Sequence, residues 1–240
     1  MAEAYIVDAV RSPVGRKRGG LSKVHSADLG AHVIKGVVER SGIDPGIVED
    51  VVFGCVDTVA TQAGDIARTC WLAAGYPEHV PGVTIDRQCG SSQQAVHFAA
   101  QGVMSGTQDV VVAGGVQNMS TIPIGASMIV GKELGIPDPF SGSVGWTERY
   151  GDQPVNQFHG AEMIAKDWDL SREELERFAL ESHRRAIHAQ DEGRFDREII
   201  PFGDVTADEG PRRDTTLEKM AALPILMEGG RLTAAVASQI

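Results

Sequence analysis

Ile85-Asp86-Arg87-Gln88-Cys89-Gly90-Ser91-Ser92 joins a short apolar run to a long helix-periodic one and sets a single cysteine at the junction. Pro81-Gly82 breaks the chain before it, and Val83-Thr84-Ile85 has strand composition. After it, Ala95, Val96, Phe98, Ala99, Gly102 and Val103 recur at helical spacing. Cys89 is therefore expected at a strand-to-helix turn, near a helix N-terminus. Unpaired backbone N–H groups and the positive end of the helix dipole favour a thiolate there, and the thiolate is the nucleophilic form of cysteine. The small neighbours Gly90-Ser91-Ser92 leave room for an acyl group. The competing reading of Cys89 is a buried core thiol.

Working outward, apolar strands alternate with helices. Tyr5 to Val10 reads as a first strand, followed by the basic, turn-rich segment Arg11 to Gly20. Ser26 is a candidate cap for a helix carrying Leu29, Val33, Ile34, Val37 and Val38 on one face. Asp50 to Val56 is a second strand, Asp65 a candidate cap for the next helix, and Asp109 to Gly115 a strand after the Cys89 helix. Near-continuous apolar strands of this kind indicate an α/β fold with a mainly parallel sheet covered on both faces. From residue 120 to 155 the sequence is rich in Gly, Pro and Ser with little periodicity, as in a loop excursion. Helices are expected over about 157–167 and after the capping box Ser171-Arg172-Glu173-Glu174, then a short strand at Glu198-Ile199-Ile200, a helix from Thr215-Thr216-Leu217-Glu218, and a strand from Leu232. The organisation expected is a first domain over 1–119, an inserted domain over 120–231 and a return into the first over 232–240.

Composition narrows the function. The 240 residues are 42% hydrophobic and can bury a substantial core, and the formal charge of −11 disfavours nucleic acid and anionic membrane as partners. No apolar run approaches membrane-spanning length and Met1 to Ala4 lacks a secretory pattern, so a cytoplasmic protein is expected. The three cysteines, Cys55, Cys70 and Cys89, form neither a disulfide framework nor a metal motif; Cys55 and Cys70 read as core. There is no dinucleotide or Walker fingerprint.

Several segments together resemble the N-terminal half of the thiolases, acyltransferases that make or cleave 3-ketoacyl-CoA thioesters. Arg11-Ser12-Pro13-Val14-Gly15 is similar to the family's Arg-Thr-Pro-x-Gly, Asp86 to Ser92 to its nucleophile motif, and Gly114-Gly115-Val116-Gln117-Asn118-Met119-Ser120 to its Gly-Gly-x-Glu-x-Met-Ser. Ser182 to Ala186 and Glu192 to Ile199 look like landmarks of its loop domain, and Asp208 to Arg212 and Thr233 to Ser238 complete the match. The match runs through essentially the whole chain and is specific because the segments come in order.

The resemblance implies a thiolase-like α/β fold, a mixed, mainly parallel sheet with an inserted helical loop domain, and acyl transfer through an acyl-Cys89 intermediate. Coenzyme A and acyl-CoA thioesters are then substrates rather than cofactors, and no metal is implied. Arg212 is placed like the family's adenine- or phosphate-contacting arginine and Ser238 like a serine near the pantetheine; the alternative for Arg212 is a solvated arginine on an acidic protein. The family's base is a Gly-His-Pro histidine, its acid a Cys-x-Gly cysteine, and an asparagine orients a water. None of these motifs occurs here, and the seven histidines, at 25, 32, 79, 97, 159, 183 and 188, lack that context. The expectation is thus an incomplete chain, with the C-terminal half of the same enzyme as a partner, and a homodimer or homotetramer. Asp86, Gln117 and Val236 depart from the family's usual residues. The variants Cys-Gly-Ser-x-Gln-Gln and Ser-Gln-Ile look more like degradative thiolases of sterol side chains or long acyl chains, in β-oxidation. The other readings are a biosynthetic acetoacetyl-CoA thiolase and a non-catalytic CoA-ester-binding protein.

Overall fold

The computed structural model describes residues 3–238. It divides into two compact units. The first comprises the chain up to Asp138 together with Arg197–Glu209, and the second comprises Pro139–Asp196 and the chain from Gly210 onward.

In the first unit three strands, β1 (Asp50–Gly54), β2 (Gly82–Ile85) and β3 (Val111–Gly115), form a parallel sheet in the order β2-β1-β3. Alternation along the strands sorts their side chains between the two faces. Val51, Phe53 and Cys55 belong to the same apolar core as Val112, Val116, Ile34 and Val38 of α1 (Ser26–Ser41), and Ile66, Ala67, Cys70 and Trp71 of α2 (Ile66–Ala73). The opposite face ends in small residues where β1 and β3 exit. Gly54 and Gly115 are paired in register, and α3 (Ser91–Ser105) starts directly above them. A Cβ on Gly54 would lie 2.4 Å from the Ser92 backbone N, and one on Gly115 would lie 2.0 Å from Ser92 Oγ. The buried stripe of α3, Ser91, Ala95 and Ala99, has the helical spacing for this contact. Gly115 is thus a close-packing residue at a strand end.

Several expectations need correction. Tyr5 to Val10 is not a strand: it runs extended without ladder partners among the described residues, with Tyr5, Ile6 and Val7 between 77% and 78% exposed, and its apolar composition alone does not supply a neighbour. Glu198-Ile199-Ile200 reduces to one parallel bridge between Ile199 and Arg11, and the run from Leu232 to a single antiparallel bridge of Thr233 with Ile225; Gln239 and Ile240 lie outside the described residues. The cap of α1 is His25, whose Nδ1 accepts from the Ala27 N–H at 3.2 Å. Ser26 instead is buried and donates to Gln62 at 3.0 Å. Asp65 stands at the N-cap of α2 without capping it, because its carboxylate accepts the Thr84 hydroxyl at 2.6 Å.

The first unit extends past the boundary expected at 119. The excursion opens with two short helices, α4 (Ala126–Ile129) and, beyond the unit's end at Asp138, α5 (Val144–Tyr150). Residues 197–209 return to the first unit because Arg11 forks onto them: its guanidinium donates to Glu198 Oε1 at 2.8 Å and to both Asp208 oxygens at 2.6 and 3.0 Å. Burial works to raise the Asp208 carboxyl, but hydrogen bonds from Arg11 and the Val14 N–H outweigh it and hold it below the usual carboxylate range.

The second unit carries α6 (Gln157–Asp167), α7 (Arg172–Asp191) and α8 (Leu217–Ala221). Asn156 caps α6, and Ser171 with Glu174 forms the expected capping box of α7. Two arginines join its segments through carbonyl oxygens. Arg172 ties α7 to the end of α8 through Met220, Ala221 and Leu223, while Arg231 reaches Ala165 and Leu170. Among the described residues no helix is long and apolar enough to cross a membrane.

Candidate active site

Cys89 lies in the turn between β2 and α3, one residue ahead of Gly90, the N-cap of α3. It is exposed, whereas Cys55 and Cys70 are buried, which removes the core reading for Cys89 alone. Burial pushes the Cys55 thiol up to about 11 and the Cys70 thiol up to about 12, so both stay protonated at neutral pH.

The turn is braced from within. Gln88, directly before Cys89, has φ 47°, in the left-handed region where a non-glycine residue costs on the order of 1–3 kcal/mol. Asp86 Oδ1 accepts the Gln88 N–H at 2.8 Å, which gives the unusual acidic residue of this motif a bracing role. The buried Ser91 hydroxyl accepts from the Arg87 N–H at 2.9 Å and donates to the Gln88 carbonyl at 2.6 Å. The Gly90 and Ser91 amides close back on Arg87 and Gln88 at 3.1 and 3.0 Å. Backbone conformations of this kind cluster at functional sites. No side chain caps α3, which begins two residues after Cys89. A Cβ on Gly90 would meet only Arg87, its carbonyl at 3.5 Å, so the backbone does not demand glycine there. His97, also on α3, is exposed and two turns further along.

The polar groups at the exits of β1 and β3 include some that local sequence reading misses. Asp57, just beyond β1, is fully buried at 0% exposure, and Gln62 and Asn118 are also buried. Gln62 accepts from Ser26 and from the Asn118 N–H and donates to the Asp57 carbonyl, while Asn118 donates to the carbonyls of Leu21 and Val24. These bonds fix the exits of β1 and β3, which lie at the same sheet edge as the exit of β2 to Cys89. An isolated acid or amide following a strand carries no local signature of burial, since its partners come from residues tens of positions away.

Arg212 and Ser238 both belong to the second unit, and Cys89 to the first. Arg212 is exposed and makes no ion pair among the described residues, while its neighbour Arg213 is committed to Asp191 at 2.6 and 3.1 Å. The Arg212 N–H donates to His183 Nδ1 at 3.2 Å; burial, and then the Arg212 charge, push the His183 pKa down. Ser238 is exposed, with its hydroxyl 3.5 Å from Gln157 Oε1 at the start of α6. No group of three His, Cys, Asp or Glu among the described residues is arranged to hold a metal ion.

Residues 4–240 match the family of thiolase N-terminal domains. The chain is 58% identical to a steroid 3-ketoacyl-CoA thiolase of Mycobacterium tuberculosis, over 100% of this chain and 60% of that protein. It is 39% identical to a β-ketoadipyl-CoA thiolase of Pseudomonas aeruginosa, over 92% of this chain and 59% of that one. A crystal structure of the Bacillus anthracis acetyl-CoA acetyltransferase superposes with a TM-score of 0.79 at 32% identity, covering 100% of this chain and 63% of its own. The chain thus spans about three-fifths of the length of these relatives.

Proposed function

The chain belongs to the thiolase family, and from that premise we propose that it supplies the nucleophile of an enzyme that cleaves 3-ketoacyl-CoA thioesters by thiolysis. The observation that carries this reading is the exposed Cys89 held behind the strained Gln88 at the start of α3, with the other two cysteines buried. In the forward direction the Cys89 thiolate adds to the 3-keto carbonyl of the substrate. The bond between the second and third acyl carbons breaks, and its electron pair leaves with acetyl-CoA as a carbanion that takes up a proton. The acyl group now rests on Cys89 Sγ as a thioester. The thiol of a second coenzyme A gives up its proton, attacks that thioester and releases the shortened acyl-CoA and free Cys89.

Coenzyme A and its acyl thioesters are the substrates in this reading, with Arg212 meeting the nucleotide end and Ser238 the pantetheine arm. Support for Arg212 is its freedom from ion pairing beside the committed Arg213. A bulky acyl group of the steroid type is favoured, supported by the 58% identity to a relative named for that substrate. The same reading carries a cytoplasmic homodimer or homotetramer working in lipid degradation.

The test is turnover by the complete protein of a bulky 3-ketoacyl-CoA against acetoacetyl-CoA, each with coenzyme A. We expect the bulky substrate to be preferred and Cys89→Ser to abolish both reactions. Clear preference for acetoacetyl-CoA removes the substrate assignment; full activity in the Cys89→Ser variant removes the mechanism.

A further inference from the structure

The fully buried Asp57 carboxylate is held by neutral donors, and its connections run toward the nucleophile turn. Its Oδ1 accepts from the Ser127 N–H at 2.9 Å and the Ser127 hydroxyl at 2.8 Å, and its Oδ2 from the Gly125 N–H at 3.0 Å and Gln117 Nε2 at 3.4 Å. A buried carboxylate is costly without such partners, so the segment around α4 is fixed to this one side chain. Gln117 uses its other end on β1's exit. Its Oε1 accepts from the Cys55 thiol at 3.2 Å and from the Val56 N–H at 3.1 Å. Cys55 in turn donates its N–H to the carbonyl of Ile85 at 3.0 Å, the last residue of β2 and the one from which the Cys89 turn departs. A carboxamide suits position 117 because one end accepts and the other donates without carrying a proton that titrates.

We propose that Asp57 and Gln117 are a positioning pair that links the α4 segment to the strand exits beneath Cys89 and so sets how the thiol is presented. Neither touches the reacting atoms; they act through Cys55 and Ile85 on the turn. The titratable groups acting at the pair are Asp57 itself, the Cys55 thiol and, at longer range, Asp86, whose charge also bears on Cys55; the α4 segment contributes backbone amides and the Ser127 hydroxyl. The consequence for acyl transfer rests on the thiolytic reading above, but presentation of the thiol can be read without it.

The experiment compares Gln117→Glu, Asp57→Asn and the double exchange Asp57→Asn/Gln117→Glu in the complete protein, measuring iodoacetamide alkylation of Cys89 and then kcat and KM with a 3-ketoacyl-CoA. Gln117→Glu sets a second carboxylate against Asp57. We expect alkylation and kcat to fall about tenfold, within the ~10²-fold that a 1 Å misplacement costs, with KM nearly unchanged. In the double exchange an amide again faces a carboxylate, so most of the alkylation rate returns, although the Gly125 contact is spoiled. If Gln117→Glu does not fold, recovery of a folded, alkylatable protein in the double exchange supports the pair equally. Alkylation of Gln117→Glu at the wild-type rate, or a double exchange no better than Gln117→Glu, overturns the proposal. Normal alkylation without acyl transfer in the wild type would instead sink the thiolytic reading, and the alkylation series still decides the pair.

Discussion

Replacing Gly54 by alanine tests the contact on which the nucleophile turn rests. The added Cβ would lie 2.4 Å from both the Ser91 carbonyl carbon and the Ser92 nitrogen, which are backbone atoms and cannot swing aside. To regain ordinary contact the start of α3 must retreat from the sheet by about 1 Å, and Cys89, two residues before the helix, moves with it. Overpacking of this kind costs about 2 kcal/mol of stability. A displacement of that size at a reacting group costs up to ~10²-fold in rate. Urea unfolding and iodoacetamide labelling of Cys89 read the two effects separately. Gly102→Ala on the far end of the same helix is the control: its Cβ would meet Gln108 Oε1 at 2.3 Å, the tip of a side chain that can rotate away from its bond to Asp50. That loss and the gain from removing a helix-interior glycine, each about 1 kcal/mol, offset. Labelling of Gly54→Ala at the wild-type rate, with unfolding unchanged, would refute the claim that α3 is seated on the sheet through this glycine.

In native protein a thiol reagent near pH 8 should label Cys89 but leave Cys55 and Cys70 unmodified until denaturation, because those two are buried with pKa values pushed up to about 11 and about 12; rapid native labelling of Cys55 and Cys70 would contradict the assignment of the core. Gly160→Ala, where a Cβ meets nothing within 4 Å in the interior of α6, should stabilise the second unit by about 0.5–1 kcal/mol in thermal unfolding. The depressed pKa of Asp208 gives stability that is present above the ordinary carboxylate pKa, about 4, and is lost as pH falls through the lower folded value. Asp208→Asn should therefore cost about 2 kcal/mol near neutral pH, and the difference from wild type should shrink in acid; a difference that is constant down to the lowest folded pH would show that the Arg11 fork contributes nothing.

The parallel sheet and the Cys89 turn are legible in the sequence because their signals are local. Val51 to Phe53 and Val111 to Ala113 are apolar runs, and Pro81-Gly82 and Gly90 mark the ends of the β2 unit. The small-residue seat of α3 at the strand exits is visible only as scattered glycines until Gly54 and Gly115 come into register under Ser92. Asp57 carries no signal of its own, since the amides that justify its burial lie at Gly125 and Ser127, in a segment without periodicity. Gln117 is unusual beside the glutamate that the family resemblance leads one to expect. With Asp57 against it, an amide is the group that both neighbours can satisfy. Tyr5 to Val10 misleads for the converse reason: composition reports a propensity to pair, and pairing needs a neighbour.

The central claim is that Cys89 carries the acyl group. Incubation of the complete protein with a 3-ketoacyl-CoA in the absence of free coenzyme A, followed by acid quench and peptide mapping by mass spectrometry, addresses it directly. The expected result is a thioester adduct of the shortened acyl group on the peptide containing Cys89, removed by added coenzyme A, with the Cys55 and Cys70 peptides unmodified. Product formation with no adduct on Cys89, or an adduct on another residue, would contradict it.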